Sequence, residues 1–380
     1  MSKCLTKHIG VKEGFFMQDR KKGGLFAGVF FGLILVIVGT VLLWWNEGNN
    51  VRNIKTTDEI EKTVVEIASK SDCKEYEDKL VATGGKFTVK DKELTDSTFN
   101  VSVHTAALSR IVEIYQWEEE SETDDDGNTT YSYKKVWHEG LIDSSDFHRS
   151  GHDNPTSAAY KSEDTFAEEV ILGNFHLSST QIEKMSTNKE LVPYEEMTIP
   201  EGYEIVGEFV TDAADLENPQ IGDVRIKWMY NNWKEVSLIA QVKGTTFVSW
   251  TSEVGKKVNY VTGGNHTAAE MIQDMRTQDK IMKWLLRLAG FLAILIGYMS
   301  FISPLTKLVG YIPFLGNVVN FMFFLTIFLL SLAQSLLVII IAWFRFRPLL
   351  SIGLLAIVAV IGVLLFFLKK KPAQQNVQTA

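Results

Sequence analysis

The sequence predicts an α+β membrane protein: four transmembrane helices, one N-terminal and three C-terminal, with a large β-rich extracytoplasmic or lumenal domain after the first. Three observations lead there. Four runs of 19 or more residues are almost free of charge, about the length that crosses ~30 Å of hydrocarbon at 1.5 Å per residue. Residues 46–283 hold 44 Asp and Glu against 25 Lys and Arg, whereas the rest of the chain holds 2 against 13. Inside that acidic block, apolar and polar residues alternate with the period of strands.

Taken in order, residues 1–24 form a basic cytoplasmic segment ending in Arg20-Lys21-Lys22. The first span, 25–45, is too long for a secretion-signal core. It ends in Trp44-Trp45-Asn46-Glu47 rather than a small-residue cleavage site, so it reads as an uncleaved signal anchor. The basic start and the tail 369–380, opening Lys369-Lys370-Lys371, place both ends in the cytoplasm. The domain 46–283 then lies outside or in a lumen. Its excess of carboxylates would be repelled by phosphate, so nucleic acid is not an expected partner.

Within 46–283, Arg110–Glu118 and Thr130–Trp137 alternate around Asp124-Asp125-Asp126-Gly127-Asn128, a hairpin with an acidic tip. Lys79–Lys90, Val170–Leu177, Gly222–Tyr230, Val236–Val242 and Thr246–Thr251 are further strand candidates. A Thr267-x-x-Glu270 capping box starts a helix that can run into the second span, 284–302. Arg287, one turn into that span, can snorkel to the interface. Pro304 and Pro313 break the helix, making 303–317 an interfacial loop. The third span is 318–344 and the fourth 348–368. Arg345 and Arg347, in the short turn between them, fall on the side that basic residues usually avoid.

Gly24, Gly28 and Gly32 share one helix face, as do Ala289, Ala293 and Gly297. Small residues at this spacing let backbones touch, which predicts helix packing and a homo-oligomer in the bilayer. Ser331, Gln334 and Ser335 form a polar strip in the third span that should face another helix.

Candidate chemistry is sparse. His148 and His152 stand four apart beside Asp146 and Asp153, but Gly151 and Asn154-Pro155 argue for a loop, where such spacing does not converge on a metal. A calcium loop starting at Glu122 would put Tyr133 where a bidentate carboxylate is needed. The sequence thus implies no cofactor, no metal site and no catalytic residue. Cys4 and Cys73 lie on opposite sides of the bilayer and cannot pair with each other.

Distinctive stretches recur along the chain: Asn46-Glu47-Gly48, Val112-Glu113-Ile114-Tyr115-Gln116-Trp117, Tyr131-Ser132-Tyr133, Gly151-His152 with Asn154-Pro155, Asn218-Pro219, Gly222-Asp223-Val224-Arg225 and Arg347-Pro348. Together they resemble the transmembrane protein 43 (LUMA) family. The one-plus-three arrangement of spans also agrees. The resemblance implies a non-enzymatic scaffold that self-associates and binds other membrane proteins. Its place would be the endoplasmic reticulum and inner nuclear membrane of a eukaryote, or the inner (plasma) membrane of a bacterium. A channel or transporter accessory using the Ser331/Gln334/Ser335 strip is the alternative, and a hydrolase using His152 and Asp153 a third.

Overall fold

The computed structural model describes residues 23–123, 129–309, 316–349, 351–353, 356–357 and 360. Three of its helices are long and apolar enough to cross a membrane: α1 (Gly23–Thr63), α3 (Ala268–Val309) and α4 (Gly316–Phe346). A one-turn helix, α2 (Ser179–Ile182), lies in the domain between the first two. The expected fourth span falls mostly outside the described residues, where 348–349, 351–353, 356–357 and 360 are helical. The hairpin tip 124–128, most of the cytoplasmic segment and the tail 369–380 also lie outside them.

The first span does not stop where the apolar run stops. α1 continues to Thr63 through Asn46-Glu47-Gly48-Asn49-Asn50, a stretch whose asparagines and glycine form helix poorly on their own. Tertiary contact explains it. The buried positions Gly32, Gly39, Asn46, Asn53 and Ile60 recur every seven residues, with Leu43, Asn50 and Thr57 between them. A seven-residue repeat is the seam of a left-handed helix pair, and α3 lies along it on both sides of the apolar boundary. Asn46 Nδ2 donates to the Lys283 carbonyl at 3.0 Å, and Asn53 Nδ2 to Asp279 at 2.5 Å.

α3 opens on the capping box. The Thr267 amide donates to Glu270 Oε2 at 2.8 Å and the Glu270 amide returns to Thr267 Oγ1 at 3.3 Å. The helix then runs without interruption to Val309, through Pro304. That corrects the interfacial loop expected over 303–317: residues 303–309 are helical, 310–315 lie outside the described residues, and α4 begins at Gly316. Pro304 removes one backbone hydrogen bond, a loss that helices in lipid accommodate.

The domain's strands form, among the described residues, two seven-stranded sheets and two small two-stranded ones. In the first large sheet Leu80–Val89 pairs with both Val170–Leu172 and Glu235–Lys243. In the second, Val224–Tyr230 pairs with Ala107–Thr123, which pairs in turn with Thr129–Glu139. Thr123 opposite Thr129 closes the expected hairpin up to its tip. Glu235–Lys243 is buried on both faces. Val236, Leu238, Ala240 and Val242 enter the main core with Phe175, Trp228 and Phe247. Ile239 turns the other way, joining Leu80, Ala82, Ile60 of α1 and Met271 and Ile272 of α3. The helix pair is therefore fastened to the sheet by apolar burial.

Candidate functional site

The clearest convergence of functional-looking side chains is where α1, α3 and α4 meet at the domain end of the apolar zone. Glu47 is 1% exposed. Its Oε1 accepts from Arg287 Nε and Nη2, both at 2.7 Å, and its Oε2 accepts from Trp343 Nε1 at 2.9 Å. One carboxylate thereby ties three helices together. Gly48 beside it has no side chain, and the Phe346 ring uses the space: a Cβ there would sit 2.7 Å from the ring. Phe346 also packs on Trp44, with ring centroids 5.4 Å apart. The Arg287 side chain is 15% exposed and paired with Glu47. Glu47, reaching across from α1, supplies a buried anion in direct contact, and pairing with it offsets desolvation.

Below the junction the small residues mesh inside the chain. A Cβ on Gly32 would lie 2.5 Å from the Gly297 carbonyl oxygen, and one on Gly297 would lie 2.7 Å from the Gly32 oxygen. Seven residues on, a Cβ on Gly39 would lie 2.7 Å from the Gly290 oxygen and 3.1 Å from the Ala293 side chain. Gly28 has nothing within 4 Å, Ala289 is exposed, and Gly24 lies in α1 with its surroundings outside the described set. Gly39 and Gly290, at seven-residue rather than four-residue spacing, escaped the sequence reading.

Gln334 bridges the helices above Gly39. It accepts from Tyr298 Oη of α3 at 2.5 Å and donates to Thr40 Oγ1 of α1 at 2.9 Å. Ser331 and Ser335, both buried, donate back to the carbonyls of Ile327 at 2.8 Å and Ser331 at 2.7 Å. The strip is thus occupied by contacts within the bundle.

In the domain, the other motif residues clasp loop 140–162 to the long hairpin. Asn154 mimics a strand: its Oδ1 accepts from the Trp117 amide at 2.7 Å and its Nδ2 donates to the Trp117 carbonyl at 2.9 Å. Gln116, fully buried, donates to the Gly140 carbonyl at 2.7 Å and accepts from the Ile142 amide at 2.9 Å. His152 stacks on Tyr133 at 3.7 Å, and His148 on Tyr131 at 3.9 Å. Glu119 accepts from Tyr133 Oη, which holds its carboxyl below the usual range. Tyr115 exchanges backbone hydrogen bonds with Gly222 and Asp223 at 2.9 and 2.8 Å. Gly222 has φ of +102°, a conformation that favours glycine, and a Cβ there would lie 3.7 Å from Pro155. Glu113 pairs with Arg225 at 2.8 Å.

These residues, scattered over the sequence, are brought into two constellations. The family model described as "Transmembrane protein 43" matches residues 114–348. The chain belongs to the transmembrane protein 43 family. It is 29% identical to mouse transmembrane protein 43 over 92% of both chains, and 28% identical to the human protein over 94% of both. The Drosophila homolog is 26% identical over 86% of this chain and 90% of its own. No solved structure matches. The family assignment makes this an integral membrane protein, in line with its several apolar helices.

The sequence reading also missed the domain's buried ionic centre. Arg110 and Asp96, 7% and 8% exposed, pair at 2.7 Å. Trp228 Nε1 donates to the other Asp96 oxygen at 2.9 Å, and Glu163 caps the guanidinium at 2.8 Å. An isolated Arg or Asp in a strand carries no sign of such a partner. Beside the clasp, Val112, Ile114, Leu141 and Tyr160 line a half-open cleft of about 780 Å³.

Proposed function

We propose that this member of the transmembrane protein 43 family is a non-enzymatic membrane scaffold that holds its β-rich domain at a fixed height over the bilayer. The observation that carries this is the α1–α3 pair, whose seven-residue seam continues from Gly32 in the apolar zone to Ile60 under the sheet. A hinge at the membrane surface would let the domain tumble; a continuous helix pair locked by Glu47 resists it. The basic flanks favour both ends in the cytoplasm and the domain in a lumen or outside the cell, in the endoplasmic reticulum and inner nuclear membrane of a eukaryote or the plasma membrane of a bacterium.

Scaffolding requires partners, for which we propose the bilayer itself, second copies and other membrane proteins. Gly32, Gly39, Gly290 and Gly297 are consumed within the chain, so self-association falls to the outward small residues Gly28 and Ala289 and the exposed apolar side chains near them. Size measurement in mild detergent tests it. Gly28→Leu with Ala289→Leu should shrink the particle without lowering its melting temperature; a wild-type protein already monomeric in nanodiscs and native membranes would rule self-association out.

A further inference from the structure

The helix junction carries more positive charge than it answers. Lys283 lies within electrostatic reach of Arg287, Arg347 and Lys280, and Glu47 is the one acid in that set. Both Glu47 oxygens are already engaged, by Arg287 and Trp343. The Lys283 ammonium meets the face of Trp284 at 5.9 Å. One terminal guanidinium nitrogen of Arg347 is buried with no hydrogen-bond partner. Among the described residues no carboxylate stands in ion-pair range of Lys283 or Arg347. Burying unanswered charge is costly, so the arrangement calls for an anion from outside the chain.

We propose that Lys283, on α3, and Arg347, just past α4, hold a phosphate group between the two helices, and that the bilayer supplies it as the headgroup of an anionic phospholipid. The chemistry fits a phosphate: a planar guanidinium fork and an ammonium point charge both match its oxygens. The level fits a headgroup. Trp44, Trp45 and Trp284, adjoining the junction in sequence, are 37%, 48% and 58% exposed, and tryptophan favours the depth of the headgroups. Basic pockets between membrane helices are suited to such lipids. The proposal also gives a reason for Arg347 to stand on the side that basic residues usually avoid.

The test is native mass spectrometry of the full-length protein in detergent, titrated with phosphatidylglycerol or phosphatidylcholine of equal chain length. Wild type should retain phosphatidylglycerol preferentially. Lys283→Gln and Arg347→Gln should each weaken that binding about fivefold, Arg347→Lys should keep most of it, and Arg345→Gln, at an exposed site, should change little. Equal retention of the two lipids by wild type overturns the proposal, and this reading needs no variant to fold. A phosphatidylglycerol preference that persists in Lys283→Gln/Arg347→Gln overturns it too. Displacement of the lipid by millimolar inorganic phosphate would keep the phosphate chemistry and defeat the bilayer as its source. None of these readouts depends on oligomer size, so failure here is separable from failure of self-association.

Discussion

Glu47 concentrates the argument at the scale of single residues. It is buried, it is the one acid among the described residues that acts on Lys283 at the three-helix junction, and its two oxygens answer Arg287 and Trp343. Glu47→Gln leaves the guanidinium without its counter-ion, which costs about 3–5 kcal/mol when a buried pair is broken on one side. The melting temperature in detergent should fall sharply and recover in part in Glu47→Gln/Arg287→Met, where no charge is left unpaired. A single-variant loss no larger than that of an exposed glutamate would contradict the assignment. Asn154→Ala should release loop 140–162, with faster hydrogen exchange at the Trp117 amide, which Asn154 now accepts from. Tyr260 gives a pH signature. Burial first, and then its hydrogen bond to Asp274, push its pKa from 10.0 up to about 12. A raised pKa means that the neutral phenol is favoured by folding, so its stabilisation is complete below pH 10 and is lost as pH rises toward 12. Denaturant titrations across that window should show the decline, and Tyr260→Phe should flatten it.

Among the elements, the helix pair is where sequence and structure diverge most usefully. The strands are legible: alternation marks both arms of the hairpin, and the candidates Lys79–Lys90, Gly222–Tyr230 and Val236–Val242 fold as Leu80–Val89, Val224–Tyr230 and Glu235–Lys243. The capping box located the start of α3. The ends of the helices were not legible, because apolarity marks only what touches lipid. Asn46, Asn50 and Asn53 look like the start of a soluble domain until α3 is seen beside them. Four-residue spacing finds Gly32 and Gly297 but not Gly39 and Gly290, because an antiparallel pair wound on a 3.5-residue period brings together Gly32 with Gly297 and Gly39 with Gly290. Glu47 and Arg287, 240 residues apart, had no local signal of each other. The packing makes a graded prediction. Gly39→Ala drives a methyl group to 2.7 Å from a backbone oxygen that cannot swing away, and overpacking of this kind costs about 1–3 kcal/mol. Gly28→Ala meets nothing within 4 Å and should be neutral or slightly stabilising, since glycine weakens a helix by roughly 0.5–1 kcal/mol. Thermal melts of the two variants, side by side, decide whether this register is right.

For the molecule as a whole, one helix pair runs from the apolar zone to the underside of the sheet, and the proposed scaffold requires that pair to be rigid. The acidic block, the exposed apolar faces of α1, α3 and α4, and the apolar fastening of Ile60, Met271 and Ile272 to Ile239 then belong to one mechanical unit. Paired cysteines in native membranes test this most directly, in a background with Cys4 and Cys73 replaced by serine. Leu43→Cys with Gly290→Cys reports the register inside the apolar zone, where the two residues touch. Asn53→Cys with Asp279→Cys reports it outside, where the native side chains are 2.5 Å apart. A rigid continuous pair predicts that both disulfides form readily and at similar rates, while moving the cysteine from Asn53 to the exposed Arg52 abolishes the second. Formation of the first without the second, or equal trapping at 52 and 53, would mean that the helices part at the membrane surface and that the domain is not held by them.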